Sequence, residues 1–204
     1  MKILSLFDCS GVMVAPWVDA GHSVLCIDQQ EPKHRFGNIQ IDIRHLSADE
    51  FHPFDVVFAF PPCTHLAVSG ALHWKKKGPE ALEQSLELVR IARSFCDKAT
   101  YWLIENPVGR LSSHWRKPDW SFNPFEYAGY SPDPDKDRYT KKTCIWSNFE
   151  KPKRKPLSPI HGSKMHLLPP GPNRQYLRSL TPQGFAQAIY EHLSSSPPAQ
   201  IALF

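Results

Sequence analysis

Three features of the sequence point to an α/β architecture with a mainly parallel sheet. Short apolar runs without polar alternation recur at 2–7, 23–28, 55–60 and 100–105, the pattern of strands buried on both faces. A long amphipathic segment at 79–96 lies between the last two. Strand, helix and strand in that order make a βαβ unit, whose crossover sets the two strands parallel.

The first run, Lys2-Ile3-Leu4-Ser5-Leu6-Phe7, reads as a buried strand. Residues 14–20 form a short helix, and 23–28, ending in Asp28, a second strand. The run at 55–60 is stopped by Pro61-Pro62, which remove backbone donors and fix the chain. Pro79 suits the first turn of the helix at 79–96. Leu82, Leu86, Val89 and Ala92 then recur at helical spacing. Glu80, Glu83 and Glu87 lead that helix while Arg90, Arg93 and Lys98 close it, complementing its dipole. The run at 100–105 ends at Asn106-Pro107. Residues 116–172 are rich in proline and aromatics. A strand is expected at 139–146, a basic loop at 151–156 and a helix at 183–193, with Thr181 as its N-cap and Pro182 at its first position. Residues from 194 on read as a loose tail.

The chain has 204 residues, 41% hydrophobic and 22% charged, which excludes a coiled coil, a collagen-like chain and a fully disordered one. A net charge of +4 permits a phosphate-bearing partner without requiring one. No apolar run approaches the roughly 20 residues of a membrane span. The first residues enter a strand directly, with no signal-peptide pattern, so a cytoplasmic location is expected. Cys9, Cys26, Cys63, Cys96 and Cys144 are odd in number and include no CxxC pair; neither a disulfide framework nor a cysteine zinc site is expected. His161, His166 and His192 have no ligand-like spacing with cysteines or carboxylates, and no metal is expected.

Ligands of doubly wound sheets sit outside the carboxyl ends of the parallel strands. Here those ends carry Asp8 to Gly11, Asp28, Cys63 and Glu105. Cys63, after two prolines, is a thiol held by a rigid turn; taken alone it also reads as an inert buried cysteine. Glu105 ends an apolar strand, where a carboxyl group can have a raised pKa, stay protonated and donate to a ring nitrogen. By itself it reads equally as a surface glutamate. His65 reads as a loop histidine that could contact a substrate or lower the thiol pKa.

In chain order, Leu6-Phe7-Asp8-Cys9-Ser10-Gly11, Ala20-Gly21-His22, Asp28, Asp42, Phe60-Pro61-Pro62-Cys63 and Glu105-Asn106-Pro107 resemble the DNA (cytosine-5) methyltransferase family over the first 107 residues. The resemblance implies a Rossmann-like fold that binds S-adenosylmethionine. It implies one domain over 1–193, with cofactor and catalytic motifs in 1–107 and a substrate-facing part in 108–193, then a tail at 194–204. Phe7 would contact the adenine and methionine region, with Asp8 and Gly11 lining the loop. Asp28 would hold the ribose hydroxyls, Asp42 would meet the adenine amine and Pro61 would lie along the cofactor. Cys63 would add to carbon 6 of a pyrimidine, Glu105 would steady nitrogen 3, and carbon 5 would take the methyl group without a metal. Arg138-Tyr139-Thr140-Lys141-Lys142-Thr143 resembles the family's basic strand motif, making Arg138 and Lys141 candidates near the substrate; the same run also reads as a solvated strand edge. Arg178-Ser179-Leu180-Thr181-Pro182 resembles the family's late helix start.

Two departures matter. Cys9 and Val12 stand where the family has glycines. Only 31 residues, 147–177, separate Trp146 from Arg178, where relatives carry a target recognition domain. Three functions therefore stay open. The first is methylation of cytosine in DNA with little sequence reading. The second is methylation of a free pyrimidine nucleotide such as deoxycytidylate, with Lys164, Arg174 or Arg178 forming a phosphate pocket. The third is a non-catalytic cofactor- or DNA-binding protein. The run from Lys151 to Lys155 is a further candidate for phosphate contact. Small size and the missing region suggest a phage or mobile-element gene.

Overall fold

The apolar runs assemble as one seven-stranded sheet in the order β3-β2-β1-β4-β5-β7-β6. The computed structural model describes residues 1–163 and 168–195. Lys164, His166 and the tail from 196 lie outside the described residues. The strands are β1 (Lys2–Leu6), β2 (Ser23–Asp28), β3 (Asn38–Gln40), β4 (Val56–Ala59), β5 (Tyr101–Pro107), β6 (Trp120–Phe122) and β7 (Thr143–Ser147). β1 pairs in parallel with β2 and β4, β2 with β3, and β4 with β5. β7 runs antiparallel between β5 and β6, with Glu105 opposite Ile145 and Phe122 opposite Thr143. This is the α/β, Rossmann-like, mainly parallel fold expected from the sequence.

Side chains alternate across each strand, which explains the two hydrophobic layers. Leu4, Leu6, Val57, Ala59 and Ile104 face one side. There they meet α2 (Trp74–Cys96) through Leu82, Val89, Ala92 and Phe95. Ile3, Val56, Phe58, Leu103 and Ile145 face the other. They are covered by Trp17 of α1 (Ala15–Asp19) and by Phe185, Ile189 and Leu193 from a helix near the C-terminal end. Phe122 and Phe185 stack with ring centroids 4.0 Å apart. Truncating such a buried ring to alanine costs about 3–5 kcal/mol.

Several boundaries differ from expectation. α2 begins at Trp74, but Gly78 breaks it with φ 76°, ψ 175°, so the regular helix starts at Pro79 as its proline requires. A strand was expected at 139–146; the ladder starts only at Thr143. Upstream of it the Lys141 amide bonds the Asn123 side chain at 3.1 Å and the Arg138 carbonyl takes the Ile160 and His161 amides, so those residues serve loops instead. Short helices follow at α3 (Leu111–His114), α4 (Pro134–Asp137) and α5 (Arg174–Ser179), then α6 (Gln183–Ser194). Thr181 does not cap α6. Pro182 holds the N-cap position without a side-chain bond, and the buried Asp137 carboxylate accepts from the Gly184 amide at 2.7 Å in its place.

The sheet order reverses between β1 and β4. Such a switch point opens a crevice outside the strands' carboxyl ends. The segments leaving β1 and β4 there are Phe7 to Gly11 and Pro61 to Cys63.

Candidate active site

The β1 loop is built around Asp8. Its carboxylate is buried and accepts from Ser5 Oγ at 2.9 Å, Ser10 Oγ at 2.7 Å and the Gly11 amide at 2.8 Å. Those bonds fold the chain back on itself, so Asp8 organises the loop. Phe7 stands at φ 59°, the left-handed region, with its amide donating to the Ile27 carbonyl at 2.7 Å. Gly11 also has positive φ, 66°. A Cβ there would lie 2.5 Å from the Phe36 ring and 2.7 Å from His34. His34 and Phe36 stack with centroids 4.5 Å apart and cover the glycine.

Beside this loop lies a shallow cleft lined by Phe7, Asp28, Asp42, Ile43, Pro62 and Leu88, among others. Asp28 ends β2 and accepts from the Cys9 amide at 3.1 Å and the Gln30 amide at 2.8 Å. Burial raises its carboxyl above the usual range, against the pull of those amides. Each oxygen retains a further lone pair, so the group can accept from a diol. Asp42 caps the turn at Ile43–His45 by accepting from the Arg44 amide at 3.0 Å, and pairs with the Arg44 guanidinium at 2.7 Å. Carboxylates beside apolar walls fit a nucleoside with a flat ring and a sugar. Of the six residues expected at the cofactor, Phe7, Asp28 and Asp42 share this cleft. Asp8 and Gly11 form the adjoining loop, and buried Pro61 precedes the cleft residue Pro62.

Cys63 is exposed and its loop is tightly held. Asn106, fully buried, donates from Nδ2 to the Pro61 carbonyl at 2.9 Å. The Cys63 carbonyl takes the Leu66 amide at 3.0 Å and the Ala67 amide at 2.9 Å. The Arg110 amide reaches Leu66 O at 2.8 Å and the Val68 amide reaches Val108 O at 2.9 Å. Gly109 permits that approach, because a Cβ there would fall 2.0 Å from Leu66 O. The turn after β4 is therefore laced to the exit of β5.

This lacing places Cys63 in the electrostatic field of Glu105. Crowding by protein atoms raises the Cys63 thiol pKa first and the Glu105 carboxylate second; Lys141 and Arg178 hold it down. Burial pushes the Glu105 carboxyl above the carboxylate range, opposed by Lys141. No hydrogen bond from a described residue reaches the Glu105 carboxyl group. Lys141 donates from Nζ to the Arg178 carbonyl at 2.8 Å. Arg138 lies apart from this group. Its guanidinium bonds the Ser158 carbonyl at 2.8 Å and the Asp135 carboxylate at 2.9 Å.

Asn106 and Arg178 are the contributors that spacing did not single out at the thiol. Asn106 follows Glu105 directly, so its neighbour was a signal; nothing local ties Arg178 to residue 63. Burial and Lys77 lower the His65 pKa, which weakens this histidine as a source of positive charge beside the thiol. In the basic run, Arg154 pairs with Glu126 at 2.8 Å, and Lys155 lies 3.7 Å from Glu191 and 3.8 Å from the Tyr130 ring centre. Those two cations are already engaged. Among the described residues no His, Cys, Asp and Glu cluster could hold a metal, and no helix is long and apolar enough to cross a membrane.

No protein-family model and no curated protein matches the chain. Similar solved structures include a mutant DNMT2 from Spodoptera frugiperda, 15% identical over 77% of this chain, with a TM-score of 0.46. The bifunctional kinase-methyltransferase WbdD is 15% identical over 77%, with a TM-score of 0.38. A Streptococcus pneumoniae protein described as an NADH-flavin reductase is 27% identical over 29%, with a TM-score of 0.26. The chain spans 54%, 37% and 30% of those three structures. All three likenesses are loose.

Proposed function

We propose that the protein is an S-adenosylmethionine-dependent cytosine carbon-5 methyltransferase acting on DNA with little sequence recognition. One observation carries the reading: the Cys63 thiol and the Glu105 carboxyl group sit at the ends of the adjacent strands β4 and β5, with Glu105 acting on Cys63, beside a cleft lined by Phe7, Asp28 and Asp42. A pyrimidine ring is inert at carbon 5 until a nucleophile adds at carbon 6. Cys63, as thiolate, forms the sulfur–carbon-6 bond while Glu105, its carboxyl pKa raised by burial, donates to nitrogen 3. Phe7, Asp28 and Asp42 hold the cofactor's adenosine. S-adenosylmethionine, when bound, supplies an electrophilic methyl group to carbon 5. A base, water included, then takes the carbon-5 proton; the sulfur–carbon bond breaks, Cys63 leaves as thiolate and the nitrogen-3 proton returns to Glu105. Lys141 and Arg178 favour the thiolate throughout.

A second reading, action on a free nucleotide such as deoxycytidylate, is favoured by the stretch after β7. Described residues between Ser147 and Arg174 hold no helix or strand, whereas groove readout needs an element that sets several side chains against base edges. Incubation with labelled S-adenosylmethionine and 5-fluorocytosine, carried in single-stranded DNA, duplex DNA or deoxycytidylate, tests both. Fluorine at carbon 5 blocks proton loss, so a covalent adduct at Cys63 is expected with one of the three. Full methyl transfer by Cys63→Ser rules the mechanism out.

A further inference from the structure

We infer that α5 is a phosphate clamp: Arg178, with Arg174 one turn earlier, receives the phosphate of a pyrimidine nucleotide whose ring lies between Cys63 and Glu105. This rests on the pyrimidine reading of the site and specifies what else the site must grip.

The two arginines are four residues apart and share a face of α5. Both are half-buried. Most other arginines meet carboxylates, among them Arg44 with Asp42, Arg116 with Asp119, Arg138 with Asp135 and Arg154 with Glu126, while Arg110 lies over the Trp74 ring. Among the described residues no carboxylate pairs with Arg174 or Arg178, and Arg174 Nε is buried without any partner. A buried guanidinium N–H with no acceptor is costly to keep. Its planar fork matches phosphate geometry.

Placement supplies the second line of argument. The Arg178 carbonyl holds the Lys141 ammonium at 2.8 Å, which ties α5 to the loop that leads into β7, the strand paired with Glu105. At its middle, the Tyr176 phenol feels Cys9 and Asp8 of the β1 loop. α5 thus crosses the strand ends from the cofactor side to the thiol. Burial raises the Glu105 carboxyl pKa, which disfavours the one negative charge facing the cations around Cys63. A substrate that brings its own negative charge completes the site. The phosphate belongs either to a free monomer or to a nucleic-acid chain, and both present the same oxygens.

Calorimetric binding separates these cases. Wild type, Arg178→Gln, Arg178→Lys and Arg174→Gln are each titrated with deoxycytidine, deoxycytidylate and a short single-stranded oligonucleotide containing one cytosine. Wild type should prefer a phosphate-bearing ligand to the nucleoside by about ten-fold or more, the scale of a charge-assisted bond. Arg178→Gln should erase that preference, Arg174→Gln should reduce it, and Arg178→Lys should retain part of it. Preference for deoxycytidylate assigns the phosphate to a monomer; preference for the oligonucleotide alone assigns it to a chain. No preference in wild type, or equal loss of nucleoside and nucleotide binding in Arg178→Gln, overturns the clamp. An intact clamp in a protein that transfers no methyl group would instead remove the proposed reaction and leave the clamp standing.

Discussion

Replacing Asn106 with alanine tests how the nucleophile is held. Asn106 is 0% exposed and its Nδ2 donates to the Pro61 carbonyl at 2.9 Å. Without that donor a buried carbonyl is orphaned, at a cost of about 1–3 kcal/mol. Asn106 Oδ1 is itself buried without a partner, so deleting it returns part of a desolvation penalty. The net loss is about 1–2 kcal/mol. For a chain of this size each kcal/mol moves Tm by about 2–4 °C, so calorimetry should record a fall of about 2–8 °C. The same bond sets where Pro61 and Pro62 deliver Cys63. Turnover should fall on the order of 10–100-fold, the scale of a small misplacement of a reacting group. Iodoacetamide alkylation of Cys63, in a background with the other four cysteines replaced by serine, reports the loop directly. An unchanged Tm together with unchanged Cys63 alkylation would refute the idea that Asn106 anchors the turn.

Glu105→Gln should lose about 10²–10⁴-fold in turnover, a typical general-acid contribution, yet gain stability near neutral pH. The Glu105 carboxyl is raised in the folded protein, so ionising it disfavours folding. The gain should be full above the folded pKa and vanish as pH falls to the ordinary glutamate range, which thermal melts across pH can follow; a gain that persists in acid contradicts the burial account. Asp28→Ala should weaken S-adenosylmethionine binding by about 1.5–3 kcal/mol, and unchanged calorimetric affinity would reject the cleft as the cofactor site. Bisulfite sequencing of treated duplex DNA should show no confinement to one short motif; a single four- to six-base target would mean that a reading element exists.

The buried strands were legible because composition alone marks them. β1, β2, β4 and β5 are runs of apolar side chains packed on both faces, and their ends follow from Asp28, Pro61-Pro62 and Asn106-Pro107. β3 and β6 were missed for the opposite reason. Each has three residues, and Asn38–Gln40 is exposed throughout, so neither leaves a periodic trace. Thr181 satisfied a local capping rule that tertiary structure overrode, because Asp137 reaches the helix from 47 residues away. At the site, Cys63 and Glu105 could be picked from strand ends. The separation of Arg138 from Lys141 could not: the two lie in one basic run, and only the fold turns one toward Asp135 and the other toward Arg178.

The backbone of Phe7 has an implication for how this sequence tolerates change. A bulky residue at φ 59° carries roughly 1–2 kcal/mol of steric penalty that glycine would not. Drift toward glycine at position 7 is favoured by the local backbone and opposed by the ring's packing against the core and by what the ring contributes to the cleft. Phe7→Gly becomes a natural probe of the balance between robustness and activity. Variants selected for heat resistance should keep the ring, because lost packing outweighs the relieved backbone strain, and variants selected for ligand binding should keep it as well.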